Sequence, residues 1–574
     1  MIKDDIPKPQ GASLSAIVNM IKPFWISEWK WKAYALLAFV GVNVGTNAYI
    51  AIWFNTWQGS FMNAVTQYHE SAIMPLLLQF TSIIVVTMVV GVVHYFASTA
   101  LTMYWRKWMT MHLLDRWFAD NTYYRIERDR LLDNPDQRIS EDIQLFVTLS
   151  YNLIMGIVST LVTLTSFIVV LWRLSGPLHF EMLGWNLTIP GYMVCLAVVY
   201  AIGTSFLTQL IGRRLMPLTF AQQRFEADFR FKMANVREHA EQIALYRGAS
   251  VENGRMRDSF ASVWANLWRL LRFNMRFDPY TNVLGIVAFM VPMIAALPKY
   301  FAHAIDFGGM TRMGGAFSQV NNSLSWFVNN YTQLQQYRAV VARLTELDHA
   351  TKSSEEKSRI SVVRGSATDI SVAKLSLRTP DGRKLFDEID FAVAPGERVL
   401  IRGKSGVGKS TVMRAIAGIW PYGTGTIDVP ANAKTLVLSQ RNYVPSGTLK
   451  AALCYPSDVN AFGDEECRQA LIDCQLNEYV DRLDEVHRWG ALLSPGEQQR
   501  LAIARALLHK PDFLFLDEST NATDAATEQH LYKTLIKRLP RTSLVSISHN
   551  ATLDDFHTRT IRVTSPDQRL VIES

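Results

Sequence analysis

The chain has 574 residues, 49 % of them hydrophobic, and a formal net charge of +7 at neutral pH. Its apolar residues crowd into residues 1–300 in long uncharged runs, which excludes a wholly soluble arrangement of ordinary core helices. The basic excess falls in a few loops with no aromatic-and-basic module or base-reading motif beside it, which excludes nucleic acid as a partner.

The opening MIKDDIPKPQ is polar, so no cleavable leader is expected ahead of the first span. Residues 14–31, LSAIVNMIKPFWISEWKW, read as an interfacial helix with Trp25, Trp29 and Trp31 at headgroup level. Apolar runs follow at 33–54, 73–105, 148–172, 190–211 and 279–298, each long enough for a hydrocarbon core of about 30 Å. Gly41 and Gly45 form a G-x-x-x-G whose ordinary meaning is close helix packing. His94 is ionisable within a span and faces either a pathway or an interhelical hydrogen bond.

A sixth span is expected at 314–333, GGAFSQVNNSLSWFVNNYTQ. Gln319, Asn321, Asn322, Ser325 and Asn329 forbid it from facing lipid all round, so it lines a cavity or serves as a linker helix. The segment between spans two and three carries Arg106, Lys107, Arg116, Arg125, Arg128, Arg130 and Arg138, and that between four and five is similarly basic. Residues 58–72 and 174–189 hold no Lys or Arg. The asymmetry predicts cytoplasmic basic segments and, after an even number of spans, a cytoplasmic N-terminus and C-terminal half. The segments Asp133 to Asp142 and Glu238 to Gly248 are then the candidates to press on that half near Gln440. Four cysteines show no metal-ligand spacing, and the three in the C-terminal half sit where disulfides do not form.

Composition turns polar and Ser-rich over 346–368, which reads as a linker between residues 1–345 and 369–574. Beyond it VAKLSLRTPDGRKLFDEIDFAV alternates as antiparallel strands do, and ERVLIRGKSGVGKSTVMRAIAGI reads as strand, glycine loop and helix. Gly403, Lys404, Ser405, Gly406, Val407, Gly408, Lys409 and Ser410 fit the phosphate-loop pattern, with Thr411 next to it on the helix. The glycines let backbone N–H groups wrap phosphate, Lys409 reaches the outer phosphates, and Ser410 offers a hydroxyl to Mg²⁺. FLFLDE places Asp517 at a strand end to hold the same ion, with Glu518 beside it as general base.

These residues resemble the ATP-binding cassette (ABC) family from 369 to about 555. LSPGEQQR resembles its signature, which implies nucleotide contacts from Ser494, Gly496 and Glu497. Gln440 resembles the Q-loop glutamine, a metal ligand and part of the catalytic set; Asp524 resembles the D-loop aspartate, and His549 the switch histidine. Pro495 stands where the family has glycine. No aromatic stands near Leu377 to Thr379 where the family stacks adenine; Arg378 is either a cationic plane or a solvated strand residue, and the adenine contact stays open.

The resemblance implies a six-helix all-α membrane domain of the ABC exporter type fused to an α/β P-loop NTPase domain, using ATP and Mg²⁺. With one cassette and six spans it implies a half-transporter, completed by a second copy whose signature closes over this chain's phosphate loop. WFNTWQGSFMNAV, NPDQRISEDI, EQIALYRGA and NNSLSWFVNNY resemble the branch of SbmA/BacA-type proteins, their cassette-fused YddA-like relatives and the peroxisomal fatty-acyl half-transporters (subfamily D). That branch implies a bacterial inner membrane and ATP-driven uptake of peptides, cobalamin-like or other bulky polar solutes. Fatty-acyl transport, an ATP-gated channel, or proton-coupled transport with a regulatory cassette are the alternatives.

Overall fold

The computed structural model describes residues 14–182, 185–353, 359–404, 406–564 and 569–573. It divides into two compact units, one of residues 1–119 and 132–351 and one of residues 120–131 and 352–574.

The first unit is helical. A short helix α1 (Leu14–Ile26) precedes α2 (Lys30–Thr66) and α3 (Glu70–Phe118). Trp25 and Trp29 are not free headgroup anchors: their rings lie 6.2 Å from Trp105 and 5.0 Å from Tyr104, and Trp31 is the exposed one. Between α3 and the next span lies α4 (Thr122–Arg128), which clusters with the second unit. Then come α5 (Ile143–Ser175), a hairpin of β1 (Pro177–Met182) and β2 (Trp185–Pro190), α6 (Tyr192–Gly212), α7 (Leu215–Glu238) and α8 (Ala249–Phe301). Five helical segments, Lys30–Thr66, Glu70–Arg128, Pro135–Ser175, Tyr192–Gly212 and Ala249–Phe301, are long and apolar enough to cross a membrane.

The segment expected as a sixth span at 314–333 differs. Helix α9 (Phe307–Leu324) starts earlier, a four-residue turn at Trp326–Asn329 follows, and α10 (Tyr331–Ser353) continues past the expected start of the linker. The Asp306 carboxylate caps α9 by accepting from the Gly309 N–H, a start signal just upstream of the expected window. Two expectations within the spans also change. A Cβ added at Gly41 or Gly45 would meet nothing within 4 Å, so this G-x-x-x-G is in close contact with no helix among the described residues. His94 Nδ1 is buried without a hydrogen-bond partner among the described residues, so it makes no interhelical bond through that atom.

The second unit holds two sheets. In the smaller, β3 (Ile360–Gly365), β7 (Gly423–Pro430), β4 (Ile370–Arg378) and β5 (Lys384–Val393) lie in that order, with β4 antiparallel to both neighbours. Strand β3 falls inside the stretch expected as linker, because the Ser-rich run hides an alternating ISVV segment that pairs parallel with β7. The larger sheet runs β12 (Arg569–Glu573), β11 (Arg559–Thr564), β6 (Arg398–Gly403), β10 (Ser543–Ile547), β9 (Phe513–Asp517) and β8 (Thr435–Leu438). From β11 to β8 all pairs are parallel, and β9 and β10 are apolar runs buried on both faces, as a covered parallel sheet requires.

One core joins these sheets to α11 (Lys409–Ile416), around Phe386 and Phe515. A second core gathers α12 (Leu449–Cys454), α13 (Asp464–Asp473), α14 (Pro495–His509) and α15 (Ala525–Arg538) around Trp489. Cys454, Cys467 and Cys474 are free and buried there, where burial pushes the Cys467 thiol up to about 12, while Cys195 in α6 is exposed.

Residues 120–131 are held in this unit by α4 and the turn after it. Arg128 donates to the Ile419 carbonyl at 2.9 Å and lies over the rings of Tyr422 and Tyr124. Asp129 pairs with Arg128 at 2.7 Å and accepts from the Tyr422 hydroxyl. Burial pushes the Asp129 carboxyl up, but these two hydrogen bonds outweigh it and hold the group below its usual range.

In the segment Asp133 to Asp142, expected to press on the cassette near Gln440, Arg138 bonds within the first unit. Its side chain is spent within the first unit on the Asp133 and Arg343 carbonyls and on Glu346, while Asp142 is bidentate to Arg343. In the other expected segment, Leu245 and Tyr246 are exposed.

Candidate nucleotide site

Four adjacent parallel strands, β6, β10, β9 and β8, end on the same edge of the large sheet, and the candidate residues sit just beyond those ends. This is where open α/β sheets place ligands. The loop after β6 turns through Gly406 (φ 80°) and Gly408 (φ 107°), and a Cβ at Gly408 would lie 2.9 Å from the Phe386 ring, so only glycine fits. Helix α11 then starts at Lys409, and Thr411 on its first turn is buried with its N–H on the Gly408 carbonyl at 2.9 Å. Val407 packs against the core below. Ser405 lies outside the described residues.

The Lys409 ammonium curls over its own loop, donating to the Gly403 carbonyl at 2.7 Å and that of Lys404 at 3.2 Å, with His549 Nε2 at 3.3 Å. Burial pushes this ammonium below the ordinary lysine range, against the pull of Glu518 and Asp517. Ser410 Oγ donates to Asp517 Oδ1 at 2.8 Å; burial pushes the Asp517 carboxyl up and that hydrogen bond opposes it. Among the described residues no three His, Cys, Asp or Glu gather to hold an ion alone. A hydroxyl beside one carboxylate fits Mg²⁺, which takes few protein oxygens and completes its shell from substrate phosphate and water.

Glu518 has a left-handed backbone (φ 49°), which costs about 1–3 kcal/mol for a non-glycine residue and is fixed by its N–H on the Ile547 carbonyl at 3.1 Å. Its carboxylate collects Gln440 Nε2 at 3.3 Å, Asn521 Nδ2 at 2.9 Å and His549 Nε2 at 3.5 Å. Gln440, expected on the metal, thus turns its amide nitrogen to Glu518. Asn521 was not among the expected residues; its signal was a carboxamide three residues beyond Glu518, one turn away.

Ser494, Gly496 and Glu497 occupy a different place. Ser494 is the N-cap of α14 with Pro495 at the first helical position, so the departure from glycine suits a helix start. The Ser494 hydroxyl donates to Glu497 Oε2 at 2.7 Å and the Ser494 N–H donates to the same oxygen, in a capping box. Tyr479 donates to the other Glu497 oxygen at 2.9 Å; that bond and burial push the Tyr479 hydroxyl up to about 12. A Cβ at Gly496 would lie 2.9 Å from the Ala522 carbonyl, and Gln499 accepts from the Ala522 N–H. Asp524 caps α15 by accepting from the Thr527 N–H at 2.9 Å. Among the described residues no hydrogen bond joins Ser494 or Gly496 to the phosphate loop. Arg378 is exposed, its backbone carbonyl accepting from Trp420 Nε1 and its N–H donating to the Tyr422 carbonyl.

Comparison with known proteins agrees with this division. Residues 21–301 match the family described as ABC transporter transmembrane region 2, and residues 386–521 match the family described as ABC transporter. The inner membrane ABC transporter ATP-binding protein YddA of Escherichia coli is 31 % identical over 95 % of this chain and 96 % of its own length. The chloroplastic ABC transporter D family member 2 of Arabidopsis thaliana is 28 % identical over 96 % of this chain and 86 % of its own. Human ATP-binding cassette sub-family D member 3 is 26 % identical over 78 % and 72 %. The chain therefore belongs to the ABC transporter family, as an integral membrane half-transporter of the YddA-like, subfamily D-like branch in which one helical membrane region is joined to one ATP-hydrolysing cassette.

Proposed function

We propose that two copies of this chain form an ATP-driven transporter in which each ATP lies between the phosphate loop of one copy and the signature helix of the other. The observation that carries this is the division of the catalytic set: Lys409, Ser410, Gln440, Asp517, Glu518 and His549 converge on one sheet edge, while Ser494 and Gly496 stand at a helix start bonded to none of them. At the start of α14 Pro495 has no N–H and the Glu497 and Gln498 N–H groups bond back to Ser494, which leaves the Gly496 N–H and the helix dipole to receive a phosphate from outside the chain.

Within a site, the loop from Gly403 to Gly408 cradles the phosphates and Lys409 leaves its own carbonyls for them. Ser410 and Asp517, with the Gln440 oxygen, would hold Mg²⁺, which would neutralise charge on the phosphate oxygens. Glu518 accepts the proton of the attacking water, and Asn521 and Gln440 hold its carboxylate in place. His549, within reach of both Lys409 and Glu518, orients the water and the terminal phosphate. Asp524 positions the loop that meets the partner.

The membrane is a bacterial inner membrane with the cassette and N-terminus in the cytoplasm, as the Lys and Arg asymmetry supports. The cargo is a bulky polar solute such as a peptide or a cobalamin-like molecule; an acyl compound fits the likeness to the subfamily D relatives equally. Purified protein in liposomes tests the reading. Solute accumulation should require ATP and stop with a non-hydrolysable analogue; accumulation driven by a pH gradient without ATP contradicts it.

A further inference from the structure

Lys32 of α2 and Lys107 of α3 converge on one indole, their ammoniums lying 4.8 and 5.8 Å from the centre of the Trp29 ring. The Tyr104 ring stacks on Trp29 at 5.0 Å, and Lys32 reaches that ring too, at 5.9 Å. Trp29 is half-buried against the core of the first unit, whereas both lysines are exposed. Two rings thus form a platform that carries two cations.

The platform lacks a counter-charge. An aromatic face attracts a cation but has no net charge, so the repulsion of two like charges drawn to one ring is left uncompensated. Glu28 is the single acidic residue in 14–69 and 71–114, stretches that hold Lys22, Lys30, Lys32, Arg106 and Lys107. Its carboxylate accepts from Trp29 Nε1 at 3.0 Å, and among the described residues neither Lys32 nor Lys107 forms an ion pair.

Sequence says what lies beside it. Lys32 is the last charge before residues 33–66, and Arg106 and Lys107 are the first after 71–105, two stretches free of Asp, Glu, Lys and Arg. Both belong to helices long and apolar enough to cross a membrane. Their other ends also meet, Trp57 Nε1 donating to the Leu76 carbonyl at 2.8 Å, so the two stretches run side by side and end together at Trp29. Lysine and tryptophan at the shared end of two span-length apolar runs stand where lipid headgroups begin.

We propose that Lys32 and Lys107, carried on Trp29 and Tyr104, hold the phosphate of an anionic phospholipid such as phosphatidylglycerol. One phosphate between the two ammoniums supplies the missing charge and ties the start of α2 to α3 through charge-assisted hydrogen bonds. A zwitterionic lipid brings the same phosphate with a cation of its own, so the site discriminates against it. A soluble phosphate shares the chemistry; the apolar runs that end at the platform favour the lipid.

The test uses the full chain, delipidated in dodecyl maltoside and titrated with brominated phosphatidylglycerol or brominated phosphatidylcholine, with quenching of tryptophan fluorescence as the readout. Wild type should bind phosphatidylglycerol about tenfold or more tightly, the worth of two lysines facing an anionic headgroup. The double variant Lys32→Gln, Lys107→Gln should lose that preference, and Lys32→Arg, Lys107→Arg, which keeps both charges, should retain it. Equal affinity for the two lipids in wild type, or an unchanged preference in the glutamine variant, overturns the proposal. If the glutamine variant fails to fold, Lys32→Gln alone must lower the preference or the proposal falls. Inorganic phosphate is added in a last arm, against sodium chloride of equal ionic strength. Loss of the preference in phosphate but not in chloride would assign the lysines to a soluble anion and overturn the lipid assignment, whereas a preference that survives phosphate supports it.

Discussion

In the proposed mechanism Glu518 is the residue on which the chemistry turns, and its surroundings show how much of such a site a sequence can carry. The phosphate loop, Asp517 and Glu518 were legible because their spacing is forced: a loop after β6 and a carboxylate pair at the end of β9 are brought together by strand order alone. Asn521 was not legible, because its value depends on the left-handed turn at Glu518 that points one amide at another side chain's carboxylate. His94 stayed open between two readings for a related reason, since no periodicity reveals whether a neighbouring helix offers a partner. Glu518→Gln keeps the shape and removes the base, so steady-state hydrolysis should fall by about a hundredfold or more while nucleotide binding persists. ATPase assays with a parallel nucleotide-binding titration check this, and undiminished turnover would remove Glu518 from its role.

At the scale of elements, the basic segment between the second and third spans was legible as chain outside the apolar runs but not as two pieces with different allegiances. Charge cannot say that α4 and the turn at Asp129 belong with Ile419 and Tyr422 while Arg138 is spent on Glu346 and the Arg343 carbonyl. Arg138 is 8 % exposed, so Arg138→Glu sets two carboxylates together and strands the Arg343 carbonyl. It should destabilise the membrane half by about 3 kcal/mol or more, seen as a lower melting temperature in detergent. A variant that melts like wild type would show the contact to be slack.

Asp129 makes a different prediction with a definite sign. Its folded carboxyl titrates below the unfolded value, so the ionised form contributes stability above about pH 4 that is lost as pH falls through the folded value. Asp129→Asn should destabilise the chain at neutral pH by no more than about 1 kcal/mol for a solvent-screened pair, seen as a lower melting temperature, and match wild type in acid. A deficit that persists unchanged in acid would point to packing rather than charge. The same variant should weaken solute stimulation of the ATPase, since Asp129 lies in the chain stretch joining two spans and is tied to the cassette through Tyr422.

For the whole molecule, the antiparallel strands and the strand, loop and helix at the phosphate loop were foreseeable from alternation and glycine spacing, whereas the broken helix from Phe307 to Asn329 was not, because polar residues blur span boundaries. The central claim is that one chain cannot complete its own ATP site, and two differently damaged chains test it. Lys409→Ala disables the phosphate loop and leaves Ser494 intact, whereas Ser494→Arg blocks the signature and leaves Lys409 intact; as homodimers both should have little ATPase activity. A mixed dimer purified through two affinity tags contains one site with the intact loop of one copy and the intact signature of the other. Shared sites predict ATPase activity in the mixed dimer well above either homodimer. Background activity in mixed dimers that are folded and bind ATP would contradict the account.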